Sequence, residues 1–316
     1  MNTRPSKLDS PSARRIGRLA AAWTAAVVMI TALVLPAHGS DGQAIVDPFG
    51  HLAAPEGGGS GGALRVFAMA LRDPHILIDT GAGCQDVTDG FFEGDGDGNL
   101  GPPAQRDQGS TAFNNLLRMH LEGDADFDGV LDNSPVLDFS VLPQNGRREI
   151  ALGSAACAVP WTQTACAQFS LQGSSQYQVL MASETCLEGL PGTLAGYAPV
   201  PNTVRAPCFV TAPRDRTLDL GIVQIPVTRL RLAVTPLADV PGYYLPGLVR
   251  GFLAESVADQ IQMPMNLGDL SGMTLSALLP GGAGNCADWD DRDIFQGETG
   301  WWLYFDLGAY EVPKAR

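Results

Sequence analysis

The sequence predicts a mainly β protein: a single β-sandwich or jelly-roll-like domain with two short helices and an acidic loop. Three observations carry that expectation. Several segments alternate apolar and polar residues with a period of two, as half-buried strands do. Glycine and proline, 37 and 23 of the 316 residues, supply turn signals between those segments. Six cysteines, an even number, suit a cross-linked domain from an oxidising compartment.

The chain opens with Arg4, Lys7, Arg14, Arg15 and Arg18, followed by an apolar run from Leu19 to Leu35 and then Pro36, Ala37, His38 and Gly39. Basic, apolar and small residues in that order predict a secretory signal over residues 1–39. The run is short for a membrane span, and no cysteine beside it could accept a lipid. The expected product is therefore secreted or periplasmic, with no membrane insertion after cleavage. Residues 40–62 end in PEGGGSGG, which reads as a flexible linker. Gly58, Ser60 and Gly62 spell G-x-S-x-G, but no strand precedes them, so a nucleophile elbow is not expected.

Removing residues 1–39 takes away five of the 20 basic residues and one of the 34 acids, which leaves a net charge of about −18. Lys314 is then the only lysine. A field of that sign repels phosphate backbones and anionic lipids, which argues against nucleic acid as a partner and in favour of metal cations.

From residue 63 to 316 no second linker or internal repeat appears, so one domain is expected, with an insertion at about 86–135. In TRLRLAVT, Thr228, Leu230, Leu232 and Val234 share one face and Arg229 and Arg231 the other. VLDFSV sets Leu137, Phe139 and Val141 against Asp138 and Ser140. WWLYFDL sets Trp301, Leu303, Phe305 and Leu307 against Trp302, Tyr304 and Asp306. LRVFAMA, AQFSL, YQVLM and LDLGIVQI are weaker strand candidates.

Two segments carry helical spacing instead. GSTAFNNLLRMHLEG offers Ser110 as N-cap, with Phe113, Leu116, Leu117 and His120 on one side. PGLVRGFLAESVADQIQMP places Pro246 at a helix start and lines up Leu248, Phe252, Val257 and Ile261.

Six cysteines allow 15 pairings. Proximity joins Cys157 to Cys166 and Cys186 to Cys208, which leaves Cys84 for Cys286. A zinc site is not expected, because there is no C-x-x-C and His51, His75 and His120 are scattered.

The segment LEGDADFDGVLDNSP concentrates Asp124, Asp126, Asp128 and Asp132 around Gly129. Calcium takes six to eight oxygen ligands, and alternating aspartates around a tight glycine turn supply them from a short loop. These residues resemble the DxDxDG loops of EF-hand, dockerin and thrombospondin type 3 proteins, the last being closest in spelling. The resemblance implies a Ca2+ site formed by the side chains of Asp124, Asp126, Asp128 and Asp132 and the carbonyl of Val130. Pro135 stands where an EF-hand needs a bidentate Glu, so other groups or water must complete the shell and a structural site is expected over a switching sensor. Asp95, Asp97 and Asn99 in EGDGDGN are candidate further ligands. Between residues 86 and 138, twelve acids face only Arg106 and Arg118, a density that favours a bound cation.

Two other segments suggest chemistry. Asp79, Thr80 and Gly81 resemble the Asp-Thr-Gly signature of aspartic proteases, which implies Asp79 as one catalytic carboxylate, but no second D-[TS]-G exists in the chain. Asp288, Asp290, Asp291, Asp293 and Glu298 lie beside Trp289, Trp301 and Trp302, a mixture suited to sugars. The expected function is a calcium-stabilised, disulfide-bonded binding or structural protein acting on an extracellular polymer or cell-surface component. The alternative is an extracellular hydrolase, with glycoside chemistry ahead of proteolysis.

Overall fold

The computed structural model describes residues 62–81, 83–89, 112–139, 148–163, 165–283, 286 and 289–314. The expected signal segment, residues 40–61 of the expected linker and the loop carrying Asp95, Asp97 and Asn99 lie outside the described residues. Strands β1 (Ala63–Asp73), β2 (Leu77–Asp79) and β3 (Cys84–Asp86) come first, then helix α1 (Phe113–Glu122). Next come β4 (Pro135–Asp138), β5 (Glu149–Cys157), β6 (Cys166–Leu180), β7 (Thr185–Leu187), β8 (Val204–Arg205), β9 (Cys208–Thr211) and β10 (Arg214–Asp219). The chain continues through β11 (Gln224–Pro236), β12 (Tyr243–Ala254), helices α2 (Glu255–Ala258) and α3 (Leu275–Leu278), β13 (Asp293–Phe295) and β14 (Glu298–Val312).

The mainly β, sandwich-like domain is built from one antiparallel sheet. Strands β1, β4, β5, β6, β9, β11, β12 and β14 pair in that order, and β14 returns to β1 along nearly its whole length, so the path closes. Closure removes the open edges that would otherwise template pairing with other chains. Alternation decides what fills the inside. Trp301, Leu303, Phe305 and Leu307 of β14 point inward with Leu230, Leu232 and Val234 of β11, as the period-two reading requires. Leu137 and Phe139 join them, while Val141 lies outside the described residues.

The opposite face of β9, β11, β12 and β14 is buried as well. Val210, Ala233, Leu248, Phe252, Trp302 and Tyr304 form a second cluster under the β7–β8 ribbon. Burial on both faces explains the correction to the second predicted helix. Gly247–Ala254 belongs to β12, with Val249 and Leu253 inside and Leu248 and Phe252 outside, and only Glu255–Ala258 turns helical. A strand covered on both faces reads as a continuous apolar run, which periodicity alone does not separate from a buried helix.

Helix α1 forms where predicted but begins at Phe113, with Ala112 as an N-cap that makes no side-chain bond. Its first amides instead donate to carbonyls of the preceding chain, Phe113 N to Val87 O and Asn114 N to Thr88 O, both at 2.9 Å. α1 runs beside β1 where β4 has ended, and the Asn114 amide takes the place of a strand partner. Its Oδ1 accepts from Leu71 N at 2.7 Å and its Nδ2 donates to Leu71 O at 2.9 Å.

At the other end of α1 lies Arg65, whose side chain is fully buried. Its guanidinium donates to Leu121 O near the helix C-terminus, to Ser134 Oγ at 3.3 Å and to Tyr310 Oη at 3.4 Å. Tyr310 Oη in turn donates to Trp161 O. One side chain of β1 thus fixes α1, the start of β4 and β14.

All six cysteines are paired as proximity suggested: Cys84–Cys286, Cys157–Cys166 and Cys186–Cys208. Their sequence separations are 202, 9 and 22 residues. In the loop-entropy picture, closing the longest span restrains the unfolded chain most, by about 5 kcal/mol against about 2.5 for the shortest. Replacing Cys84 and Cys286 by Ser should therefore lower denaturant stability by more than replacing Cys157 and Cys166. Equal losses in guanidinium titrations would reject that ordering. Arg65→Ala should cost on the order of 3 kcal/mol, since it strands a buried carbonyl and hydroxyl. Arg65→Lys should recover less than half, because an ammonium lacks the fork that reaches three acceptors. Stability within about 1 kcal/mol of the parent for Arg65→Ala would contradict the anchoring role.

Candidate functional site

The acidic loop starts where α1 ends. Gly123 is needed there because a Cβ would fall 2.4 Å from Met119 O. Asp132 N donates to Gly123 O at 3.0 Å and Asn133 N to His120 O at 3.1 Å, so the loop folds back on the helix terminus and caps it. Within the turn, Phe127 (φ 58°) and Gly129 (φ 86°) adopt left-handed backbone, which is easy for glycine and costly for phenylalanine.

Those dihedrals turn the carboxylates inward. Ligand atoms of Asp124, Asp126 and Asp128 lie within 4.8 Å of one another. Asp124 Oδ1 accepts from Asp128 N at 3.1 Å and Oδ2 from Gly129 N at 3.0 Å. Asp128 Oδ1 accepts from Val130 N at 2.7 Å, and both oxygens of Asp132 receive Ala125 N at 3.1 and 3.2 Å. The far side of the loop is tied to the hairpin that Cys157–Cys166 staples. Leu131 N donates to Cys157 O at 2.8 Å, Val159 N donates to Gly129 O at 3.2 Å, and Val130 bridges Ala158. Three exposed or half-exposed carboxylates held this close suit a hard cation that takes oxygen ligands. Pro135 begins β4, so the chain leaves as a strand and offers no bidentate acid at that point.

The other predicted sites fare differently. Asp79 is exposed at the end of β2, paired with Cys84 of β3, and its Oδ1 accepts from Gly81 N in the following turn at 2.7 Å. Trp301 and Trp302 are core side chains, so the aromatic surface expected at that pair does not form, and Trp289 alone of that group is exposed. Asp290 makes two bonds of 2.8 Å to the Arg292 guanidinium, which also reaches Glu255 at 3.1 Å. Asp288 lies outside the described residues.

One cluster takes only Asp291 from the sequence motifs. It forms where β1 ends, at the opposite end of α1 from the acidic loop. Asp73 is 1% exposed, and its Oδ2 accepts from Ala195 N at 3.0 Å while Oδ1 has no donor among the described residues. Asp291 faces Asp73 and interacts directly with its carboxyl. His75, also buried, bonds through Nδ1 to Asp86 and stacks on Tyr197 with ring centroids 3.8 Å apart, leaving Nε2 without a partner among the described residues. Burial pushes Asp73 up to about 6. Burial, then the neighbouring Asp73 charge, pushes Asp291 up to about 8. The signal available in the sequence was the placement of Asp73 and His75 directly after an apolar strand, but their partners come from residues 86, 197 and 291.

No known family model matches the chain, and no curated protein or solved structure matches it.

The Asp73–Asp291 pair sets a pH dependence. Both groups retain protons in the folded chain at pH values where free carboxyls are ionised, so the stability they confer is complete below about pH 4 and is lost as pH rises through 6 to 8. In chelator, the melting temperature should fall across that range, and Asp291→Asn, which stays neutral, should flatten the fall. A slope unchanged in Asp291→Asn would show that other groups set it.

Proposed function

We propose that this chain is an exported, calcium-stabilised binding or structural protein. The observation that carries the reading is the convergence of Asp124, Asp126 and Asp128; the carbonyl of Val130 and the carboxylate of Asp132, which lies outside that group, are proposed as further ligands. Placement in an oxidising compartment, secreted or periplasmic, is supported by the pairing of every cysteine. Among the described residues no helix is long and apolar enough to cross a membrane. The ion would offset the mutual repulsion of the aspartates and fasten α1 to the stapled β5–β6 hairpin. That makes it a structural clamp, and the rest of the surface is left to engage an extracellular polymer or a cell-surface component.

The Asp73–Asp291 pair supports a hydrolase as a second reading. A buried and a half-buried carboxyl that interact with each other suit the shared-proton arrangement of aspartic enzymes. This reverses the order of chemistries expected from the Trp-rich segment. It is the weaker reading, because Asp73 is sealed from solvent and an extended substrate would have to displace the 195–197 segment to reach it.

Thermal unfolding of the exported protein in chelator, then in millimolar calcium, then in millimolar magnesium, tests the first reading. Ligand at about a hundred times its Kd adds about 2.7 kcal/mol, which for a domain of this size raises Tm by roughly 5 to 10 °C. Calcium should produce that rise and magnesium should not. Asp126→Asn with Asp128→Asn should abolish the calcium increment and leave the chelator melting point nearly unchanged. No calcium shift, or equal losses in both conditions, would refute the ion.

A further inference from the structure

Two arginines stand apart from the way this acidic chain uses others. Arg72 pairs with Asp306 and Asp89, and Arg292 with Asp290 and Glu255. Arg231 of β11 and Arg250 of β12 make no ion pair among the described residues, although the chain carries 34 acids against 20 basic residues.

The two are direct cross-strand partners. Leu230 and Leu232 on one strand and Val249 on the other point into the core, which turns both arginines to the outer face with Ala233, Leu248 and Phe252. Residues in that relation have Cβ atoms about 5 Å apart, and like charges so placed are destabilising. Arg250 is 9% exposed and Arg231 half-buried, so water screens the repulsion poorly. Arg229, exposed in the bulge of β11, adds a third positive charge. Burial, and then the Arg229 charge, holds the Arg231 guanidinium below its usual range. Burial lowers Arg250 as well; Arg231 and Arg229 act in the same direction, while Tyr304 and the Glu188 carboxylate act against them. Asp215 accepts from the Arg229 backbone N at 3.0 Å and makes no ion pair with the three guanidinia.

The hydrogen bonds leave these charges uncompensated. Arg250 Nη1 donates to Glu188 O at 2.6 Å and Arg231 Nε to Thr211 O at 3.2 Å, and both acceptors are neutral carbonyls. Arg250 Nε is enclosed without an acceptor and is out of reach of a ligand. Arg250 Nη2 and both Nη atoms of Arg231 also lack acceptors among the described residues, but they are not enclosed. Two neighbouring planar forks thus present donors and positive charge at the surface with nothing to receive them.

An oxyanion supplies what is missing. Carboxylate, sulfate and phosphate groups offer two or more oxygens to guanidinium forks, together with charge that offsets the repulsion. A neutral hydroxyl brings no charge, and a metal cation would add to the repulsion. A densely anionic polymer is disfavoured by the net charge of −14. What remains is one anionic group on an otherwise neutral ligand.

We infer that Arg231 and Arg250, with Arg229 at the rim, bind a single carboxylate, sulfate or phosphate group carried by the extracellular polymer or surface component. The carrier rests on the reading of the chain as a binding protein, whereas the anion site needs neither the calcium ion nor the acidic loop.

Isothermal titration tests it with the full exported protein, stripped of metal and then dialysed free of chelator, since a polycarboxylate chelator would compete. Galacturonic acid, glucose 6-sulfate and glucose 6-phosphate are the probes, with glucose as the neutral control and chloride holding the ionic strength constant. At least one anionic sugar should bind saturably and raise Tm where glucose does neither, and the one that binds identifies the group. Arg229→Gln with Arg231→Gln should weaken that binding tenfold or more, because charge-assisted hydrogen bonds are lost. Should Arg231→Gln disturb folding, the exposed Arg229→Gln alone should still weaken it about threefold. Binding no stronger than that of glucose for all three anions, or full affinity in these variants, would overturn the site. Asp126→Asn with Asp128→Asn should leave anion binding unchanged, and its loss there would count against a site independent of the acidic loop. A calcium shift in Tm without anion binding removes this site and leaves the ion; anion binding without a calcium shift does the reverse.

Discussion

The arrangement depends on a charge placed where water cannot reach it. Burial disfavours the Arg65 guanidinium, yet it stays in place because a helix carbonyl, a serine and a tyrosine converge on it and Glu122 lies near. None of those partners is local in sequence. Each becomes available only when β1, α1 and β14 have taken their final positions, so the group selects one packing of helix on sheet and penalises others. The acidic loop inherits its position from that choice, because it begins one turn beyond the carbonyl that Arg65 holds.

A strongly acidic chain also has to prevent its own charges from opening it. Pairing handles some of them: Asp306 takes Arg72 Nε at 2.8 Å and Asn202 N at 2.8 Å, and the buried Asp138 takes Lys314 at 2.5 Å. Protonation handles others, at Asp73 and Asp291. The aspartates between 124 and 132 accept from backbone amides at the surface, and the cation proposed for them would complete the compensation. Three different physical solutions thus appear within one domain, chosen by depth: buried ion pairs, carboxyls whose burial favours the protonated form, and exposed carboxylates held by backbone amides.

The strands were legible where alternation was clean. WWLYFDL places Trp301, Leu303, Phe305 and Leu307 inside as read, and TRLRLAVT does so for Leu230, Leu232 and Val234, but a bulge between Thr228 and Arg231 puts Val227 in the core in place of Thr228. The second helix was misread because β12 is covered on both faces, so its apolar residues lose the period-two signature. The acidic loop was legible as a motif, since its ligands are contiguous. The Asp73 cluster was not, for its members are drawn from β1, the 195–197 segment and the chain near 291, and a single sequence carries no mark of that meeting. The arginine pair was hidden for the same reason: Arg231 and Arg250 are ordinary residues until β11 and β12 set them side by side. The disulfides were readable because nearest neighbours happened to be the true partners.

The pairing of β1 with β14 has a consequence for how the molecule is made. The strand that closes the sheet lies at the far end of the described chain from the strand it joins, and the Cys84–Cys286 bond and the Lys314–Asp138 contact also join distant segments, 202 and 176 residues apart. A chain emerging from its N-terminus cannot complete its sheet by instalments. β1 must wait with an exposed apolar face until almost everything else has arrived, and such long-range closure is slow. The interval before closure is when this protein is most exposed to aggregation and to mispaired cysteines, so its yield in any host should follow how well that waiting strand is shielded.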